Sequence, residues 1–272
     1  MYDRVLTEIS KGCLVEILLE LGAYRQDIVL VGGWAPYFLT QNYFDHCGSI
    51  DIDFVLNPSI MIKYQSIEGI IRNLGYIQTS NIFRWKRTIT NSNTKRQTTI
   101  HLDFLTEPEA AHKTMEMKHL IEVQKDLKAC LIKGVSIVLS FNYEENVEAT
   151  IPDNGIANAK VRVADSVGSL TTKGQAILGR KKAKDYYDIY AITGFHKGGP
   201  DKAGKAFAQS INNKGFNISN PLISSSISTI RNSFSSINRI GPNEVSRFIG
   251  SDTKTDAYER VNRFLEIVHG EL

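Results

Sequence analysis

Two apolar runs joined by a short amphipathic segment constrain the fold of this chain more than any other feature. The first run covers residues 28–31, and the second, residues 50–56, carries Asp51 and Asp53. Alternate side chains of a β-strand lie on one face, so the two carboxylates are predicted to share a face while the apolar residues between them point into the core. Two carboxylates on one face repel each other, and the second run is therefore expected to need a cation.

The residue types in this stretch favour a metal ion together with a phosphate group. Hard divalent cations such as Mg²⁺ prefer oxygen ligands, which Asp51 and Asp53 offer. Gly32 and Gly33 follow the first run, and backbone without Cβ atoms lets a phosphate approach the N–H groups at the start of a helix. Each part alone is more often a turn or a solvated strand end, and the prediction depends on their joint spacing.

The spacing resembles that of the nucleotidyltransferase superfamily of the DNA-polymerase-β type. Its signature is a helix-opening Gly-Gly or Gly-Ser followed by a strand that bears Asp-x-Asp. The matching residues are Gly32, Gly33, Ser49, Asp51 and Asp53. The resemblance implies that the two glycines and Ser49 bind the nucleotide and that the two aspartates bind metal.

The superfamily also carries a third carboxylate on a later strand of the same sheet. The alternating run 99–105 offers Asp103, with His101 on the same face. Three convergent carboxylates can hold the two Mg²⁺ ions of an in-line phosphoryl transfer. Asp103 is expected either to bind the second ion or to act as the general base, and His101 is a competing base because an imidazole can accept a proton.

A second motif lies between residues 161 and 190. On residue spacing alone, the pairs Lys181/Asp185 and Lys184/Asp188 are four apart and predict surface ion pairs on one helix.

The motif comprises the run 161–166, then Lys173 and Ala176, then Arg180 and the run 184–190, which contains the pattern Lys-Asp-x-x-Asp. In this order it resembles the AbiEii-like branch of nucleotidyltransferases, whose members are toxins of bacterial toxin–antitoxin and phage-defence systems. By that likeness Lys173 contacts the nucleoside triphosphate, Asp185 positions the acceptor or substrate, and Asp188 is structural.

The pattern along the chain predicts an α+β protein. A helix is expected over residues 5–21, a helix from 57 to 74, strands up to about 164 (among them 135–141), and helices beyond. With the resemblance, this predicts a nucleotidyltransferase fold with a mixed β-sheet and flanking helices, followed by a helical C-terminal region. Residues 1–164 are then the catalytic domain, and residues 165–272 are a helical domain that contributes to the active-site cleft.

The sequence says less about the molecule that accepts the nucleotide than about the reaction. Basic residues cluster around a turn predicted at residues 91–93, and they are Arg84, Lys86, Arg87, Lys95 and Arg96. They suit either a solvated sheet edge or a surface that contacts nucleic acid, such as tRNA or another RNA acceptor. The AbiEii-like resemblance also implies a cognate antitoxin as a partner. Two alternatives stay open: a non-catalytic RNA- or protein-binding module, and a small-molecule, antibiotic-type nucleotidyltransferase.

The composition limits the classes of partner and the cellular compartment that are expected for the protein. The chain has 272 residues and a net charge of +3, which is too mild to diagnose nucleic-acid binding. Three cysteines are scattered without the spacing of a zinc site or a disulfide framework, as in a reducing compartment. No run reaches the ~18 apolar residues of a membrane span, and the N-terminus lacks the pattern of an export signal. A cytoplasmic protein with no membrane partner is expected.

Overall fold

The structure, a computed structural model, describes residues 2–57, 60, 66–90, 97–107, 120–124, 127–152 and 155–272. These residues form two compact units. The first, here called the sheet unit, contains residues 2–34 and 47–163. The second, the helical unit, contains residues 35–46 and 164–272. Residues 35–46, which the sequence pattern places in the first domain, thus cluster with the C-terminal helices.

The first part of the chain alternates helices and strands. Its elements are α1 (Arg4–Leu21), β1 (Ile28–Leu30), α2 (Trp34–Thr40), β2 (Ile52–Leu56), α3 (Ile67–Asn73), β3 (Ile77–Gln78), β4 (Arg84–Thr90), β5 (Gln97–Thr106), β6 (Leu120–Gln124), β7 (Leu127–Leu131), α4 (Val135–Ser140), β8 (Asn142–Ile151) and β9 (Gly155–Ala164). Within the described ranges the strands form one nine-stranded sheet in the order β3-β4-β5-β2-β1-β9-β8, with β7 also beside β5 and β6 beside β7. Parallel and antiparallel pairs both occur, so the prediction of a mixed sheet with flanking helices is confirmed.

Helix α1 forms where the pattern predicts it, and a capping residue lies at each of its ends. The side chain of Asp3 accepts a hydrogen bond from the backbone N–H of Val5, and Gly22 ends the helix. The helix packs against β5 and β8, and its apolar residues, such as Leu14 and Ile17, are fully buried. One face of the sheet is therefore covered near β5.

The strand predicted over residues 135–141 is wrong, because this segment is helix α4. Gly134 starts the helix with a positive φ of 87°, a conformation that glycine adopts without steric cost. The side-chain amide of Asn142 donates to the carbonyls of Val138 and Leu139 at the other end. The helix packs against β2 and β5, so burial of its β-branched residues outweighs their preference for strands.

Three predicted features lie outside the described residues. The start of the helix predicted from residue 57 falls on residues 58–59 and 61–65, and the structure describes the helix only as α3, from Ile67. The turn at residues 91–93 and the neighbouring Lys95 and Arg96 are outside as well.

The helical unit follows the predicted change to helices. Its elements are α5 (Ser166–Gly179), α6 (Ala183–Phe195), α7 (Pro200–Asn213), α8 (Pro221–Ser233), α9 (Ile240–Ile249) and α10 (Lys254–Glu271). Asp165 caps α5, because its carboxylate accepts hydrogen bonds from the backbone N–H groups of Val167 and Gly168. Helices α5 and α8 cross closely at Gly174, where an added Cβ would lie 2.6 Å from the Cβ of Ser226. Throughout the described part of the chain, every helix is too short or too polar to cross a bilayer.

Candidate active site

The sheet unit places three charged side chains in one row across adjacent strands. Parallel pairing of β2 with β5 sets Asp53 opposite Asp103, and antiparallel pairing of β4 with β5 sets Arg84 opposite Asp103 on the other side. Neighbouring strands lie about 4.8 Å apart, so the two carboxylates are close neighbours. Asp103 thus has a negative neighbour on one side and a positive neighbour on the other.

The next row of the same face holds Asp51 and His101. The alternation predicts that Asp51 lies within the strand. In the structure β2 begins at Ile52, so Asp51 lies one residue before it. His101 Nδ1 and Asp51 Oδ1 are 3.2 Å apart, a hydrogen-bond distance. The Asp51 side chain is 44% exposed, which leaves it open to a ligand from solvent.

Arg84 holds Asp103 through both carboxylate oxygens. Arg84 Nε donates to Oδ1 at 2.8 Å and Nη2 donates to Oδ2 at 2.6 Å, a bidentate geometry that makes an arginine–carboxylate pair strong. The Asp103 side chain is 6% exposed. The hydrogen bonds to Asp103 raise the pKa of Arg84, and the charges of Asp51 and Asp53 add to that rise.

Gly32 lies directly against the carboxylate of Asp53. A Cβ added to Gly32 would be 1.9 Å from Asp53 Oδ2, and the glycine has a φ of +67°. The N–H of Val31 also donates to the carbonyl of Asp53 at 2.9 Å. The Gly-Gly turn therefore packs directly against β2 at Asp53. No side chain fits at position 32.

Two further residues predicted to bind nucleotide, Gly33 and Ser49, are buried. Gly33 follows Gly32 at the start of α2, and Ser49 is 5% exposed just before the aspartate strand. Their predicted role as phosphate donors stays a prediction.

The residues present fit one divalent cation better than a three-carboxylate metal centre. Asp51 and Asp53 offer only oxygen donors, as Mg²⁺ requires. Both oxygens of Asp103 are bound to Arg84. Among the described residues, no three His, Cys, Asp or Glu side chains are grouped to hold a metal ion. A cation at Asp51 and Asp53 therefore fits this arrangement, whereas Asp103 becomes a ligand only if Arg84 leaves it.

The basic residues of β4 are divided between the two faces of the sheet. Arg84 faces the carboxylates, and Arg87 on the opposite face is hydrogen-bonded to Glu16 of α1. Lys86 is exposed beside His101. Two of the three described cations of this strand are thus bound within the protein.

The helical unit contains a buried ion network around Lys173. Lys173 Nζ lies 2.9 Å from Asp185 Oδ1 and 2.6 Å from Asp188 Oδ2. Arg180 makes two hydrogen bonds to Asp185, and Lys184 Nζ donates to Asp188 Oδ1 at 2.8 Å. The two aspartates are 2% and 0% exposed, so the predicted surface pairs are wrong in one respect: the carboxylates are buried.

The predicted Lys181/Asp185 helical spacing also does not arise. Helix α5 ends at Gly179 and α6 begins at Ala183, so Lys181 lies between the helices. The Lys184/Asp188 pair does form, within α6.

Burial opposes the charges of Lys173, Asp185 and Asp188, and the opposite charges around them outweigh it. The Asp188 and Asp185 carboxylates raise the pKa of Lys173 despite its burial. Lys173 and Lys184 lower the pKa of Asp188, and Lys173 and Arg180 lower that of Asp185. Lys173, Asp185 and Asp188 are therefore ionised at neutral pH.

His46 joins the network, and the sequence gives no signal for it. Its Nε2 is 3.0 Å from Asp188 Oδ1, and both side chains are completely buried. Burial lowers the pKa of His46 to about 4, with Lys184 and Lys173 adding to the effect and Asp188 opposing it. His46 is neutral at pH 7 and donates a hydrogen bond to a carboxylate that also binds two lysines.

Comparison with models of known protein families gives no match, and no curated protein matches the chain.

Proposed function

We propose that this protein is a Mg²⁺-dependent nucleotidyltransferase of the DNA-polymerase-β type, with the fold of that superfamily. It would move a nucleoside monophosphate from a nucleoside triphosphate to an acceptor hydroxyl. The observation that supports this most is the cross-strand pair of Asp53 and Asp103 with Asp51 beside it. Carboxylates placed side by side on one face of a sheet repel each other, and a cation bound between Asp51 and Asp53 would offset that repulsion.

The residues of the sheet unit have distinct roles in this proposal. Asp51 and Asp53 hold the divalent ion, which supplies positive charge at the triphosphate when it is bound. Gly32 keeps the Asp53 carboxylate in place, since no side chain fits between them. Asp103 binds a second ion or accepts the proton of the attacking hydroxyl, and His101, which lies beside Asp51, is the alternative base.

The roles of Lys173 and Asp185 rest on the AbiEii-like resemblance. Lys173 would contact the triphosphate as pyrophosphate leaves, and Asp185 would position the acceptor. An ammonium group has three N–H donors, and two carboxylates surround that of Lys173 in this structure. One donor is thus left for a phosphate oxygen.

The acceptor that we propose is RNA, with tRNA as the first candidate, and the setting is the cytoplasm. By the same resemblance the protein is the toxin of a toxin–antitoxin or phage-defence system with a cognate antitoxin. The charge of the described part of β4 supports RNA only through Lys86, because Arg84 and Arg87 are bound within the protein. A binding module without catalysis and an antibiotic-type transferase are the alternative outcomes of the test.

The test uses purified protein with Mg²⁺ and each labelled nucleoside triphosphate in turn, with total tRNA or an aminoglycoside as acceptor. The matched control is Asp51→Ala/Asp53→Ala. Label in tRNA with the wild-type protein alone supports the proposal, and label in the aminoglycoside alone would move the protein to the antibiotic-type class. No transfer to any acceptor, combined with salt-sensitive tRNA binding, would favour the binding module.

A further inference from the structure

Arg84 occupies the place where a second cation would bind to the carboxylates. Its guanidinium contacts both oxygens of Asp103, on the face of the sheet that also carries Asp53. A metal ion that binds Asp103 needs at least one of those oxygens. The guanidinium and the ion therefore compete for the same ligand.

We infer that Arg84 is the counter-ion of Asp103 in the protein without nucleotide, so that the free protein binds one divalent ion, through Asp51 and Asp53, and not two. This inference rests on the proposed function, because it takes Asp51 and Asp53 as metal ligands. The inference gives Arg84, which lies outside the Asp-x-Asp motif, the role of determining how many divalent ions the free protein binds.

Charge and burial both support this assignment. Asp103 is 6% exposed, so water cannot replace a lost partner. Removing Arg84 leaves a buried carboxylate beside Asp53 across one strand spacing, and two neighbouring carboxylates bind cations or take up a proton. The Arg84 side chain is itself 31% exposed, which gives the guanidinium a path to leave Asp103.

The experiment counts Mn²⁺ ions bound per chain, from the electron paramagnetic resonance signal of free Mn²⁺ during a titration without nucleotide. We expect about one ion on the wild-type protein and about two on Arg84→Met, which has a side chain of similar length without charge. Arg84→Lys keeps the charge and should return the count to about one. Arg87→Met is the matched control, since it removes an ion pair from the opposite face of the same strand and should leave the count unchanged.

A second variant keeps the inference falsifiable if Arg84→Met does not fold. Asp103→Asn retains an oxygen that accepts from Arg84, and we expect it to bind about one ion, like the wild-type protein.

Two ions on the wild-type protein, one ion on a folded Arg84→Met variant, or loss of the ion in Asp103→Asn would each overturn the inference while the metal site stands. Absence of Mn²⁺ from every variant would overturn the inference and the proposed metal ligands together. The two failures are therefore distinguishable.

Discussion

Asp53 and Asp103 are direct partners on the parallel strands β2 and β5. The strand spacing brings two like charges together at the centre of a sheet whose other positions in these strands are largely apolar and buried. The repulsion between the two carboxylates lowers the stability of the fold, and a cation bound to them would offset that repulsion.

Removal of the aspartates should separate activity from stability. In Asp51→Ala/Asp53→Ala, relief of repulsion should leave the thermal unfolding midpoint unchanged or slightly higher, while Mg²⁺-dependent transfer is lost. Calorimetry and the transfer assay check this together. Glu148→Ala removes an exposed carboxylate from β8 and should retain full activity. A double variant that still transfers label would remove Asp51 and Asp53 from the site.

Gly32→Ala should damage the site through Asp53. The new Cβ would overlap Asp53 Oδ2, which would be 1.9 Å away, so the carboxylate must move. The positive φ adds roughly 1 kcal/mol of backbone strain. Gly250→Ala is the matched control, because its φ is +81° and nothing lies within 4 Å of the added Cβ. Gly32→Ala should lose more stability in urea than Gly250→Ala, because the overlap with Asp53 adds to the backbone strain that the two variants share. Only Gly32→Ala should lose Mn²⁺ binding. Equal Mn²⁺ affinity in the two variants would contradict the role of Gly32.

Lys173→Met should destabilise the protein strongly. The change leaves Asp185 and Asp188 buried with a cation removed, which costs roughly 3–5 kcal/mol of unfolding free energy. Lys160→Met removes an exposed pair with Glu144, and its cost should be below about 1 kcal/mol. Urea denaturation measures both values. Similar small losses in the two variants would show that the network is not buried as described.

Stability should fall on acidification from pH 6.5 to pH 4, partly because of His46. Its pKa is lowered from 6.5 to about 4 in the folded protein, so the unfolded chain binds the additional proton in this interval. The contribution of His46 is therefore present above pH 6.5 and is lost as the pH falls to 4, by up to roughly 3 kcal/mol.

The check is denaturation across this pH range for the wild-type protein and for His46→Gln, which still donates to Asp188. We expect the variant to have a shallower pH dependence. Some dependence should remain, because burial lowers the pKa of His196 in the same direction. Superimposable curves for the two proteins would exclude His46 as a source of the acid sensitivity.

Local patterns predicted the elements whose residues carry both periodicity and end signals. Helix α1 has a capping aspartate and a terminal glycine, and β5 has a regular alternation, so each was predictable from its own residues. Helix α4 was not, because its β-branched residues favour a strand and only its packing on β2 and β5 decides otherwise.

The ion pairs of the candidate site depend on register and on helix ends. Arg84 lies opposite Asp103 because the antiparallel register of β4 and β5 pairs Thr90 with Gln97, and the sequence pattern does not specify that register. Lys173 reaches Asp185 because α5 ends at Gly179 and α6 begins at Ala183. The pattern indicated which residue types carry chemistry, and the partners of those residues followed only from the tertiary structure.

An assay of nucleotidyl transfer tests the proposed Mg²⁺-dependent activity most directly. Purified protein is incubated with Mg²⁺, tRNA and each labelled nucleoside triphosphate, beside Asp51→Ala/Asp53→Ala. We expect label in RNA with the wild-type protein, none without Mg²⁺, and none with the variant. Label transferred equally by the variant, or no label in RNA, protein or small-molecule acceptor with any nucleotide, would contradict the proposed function.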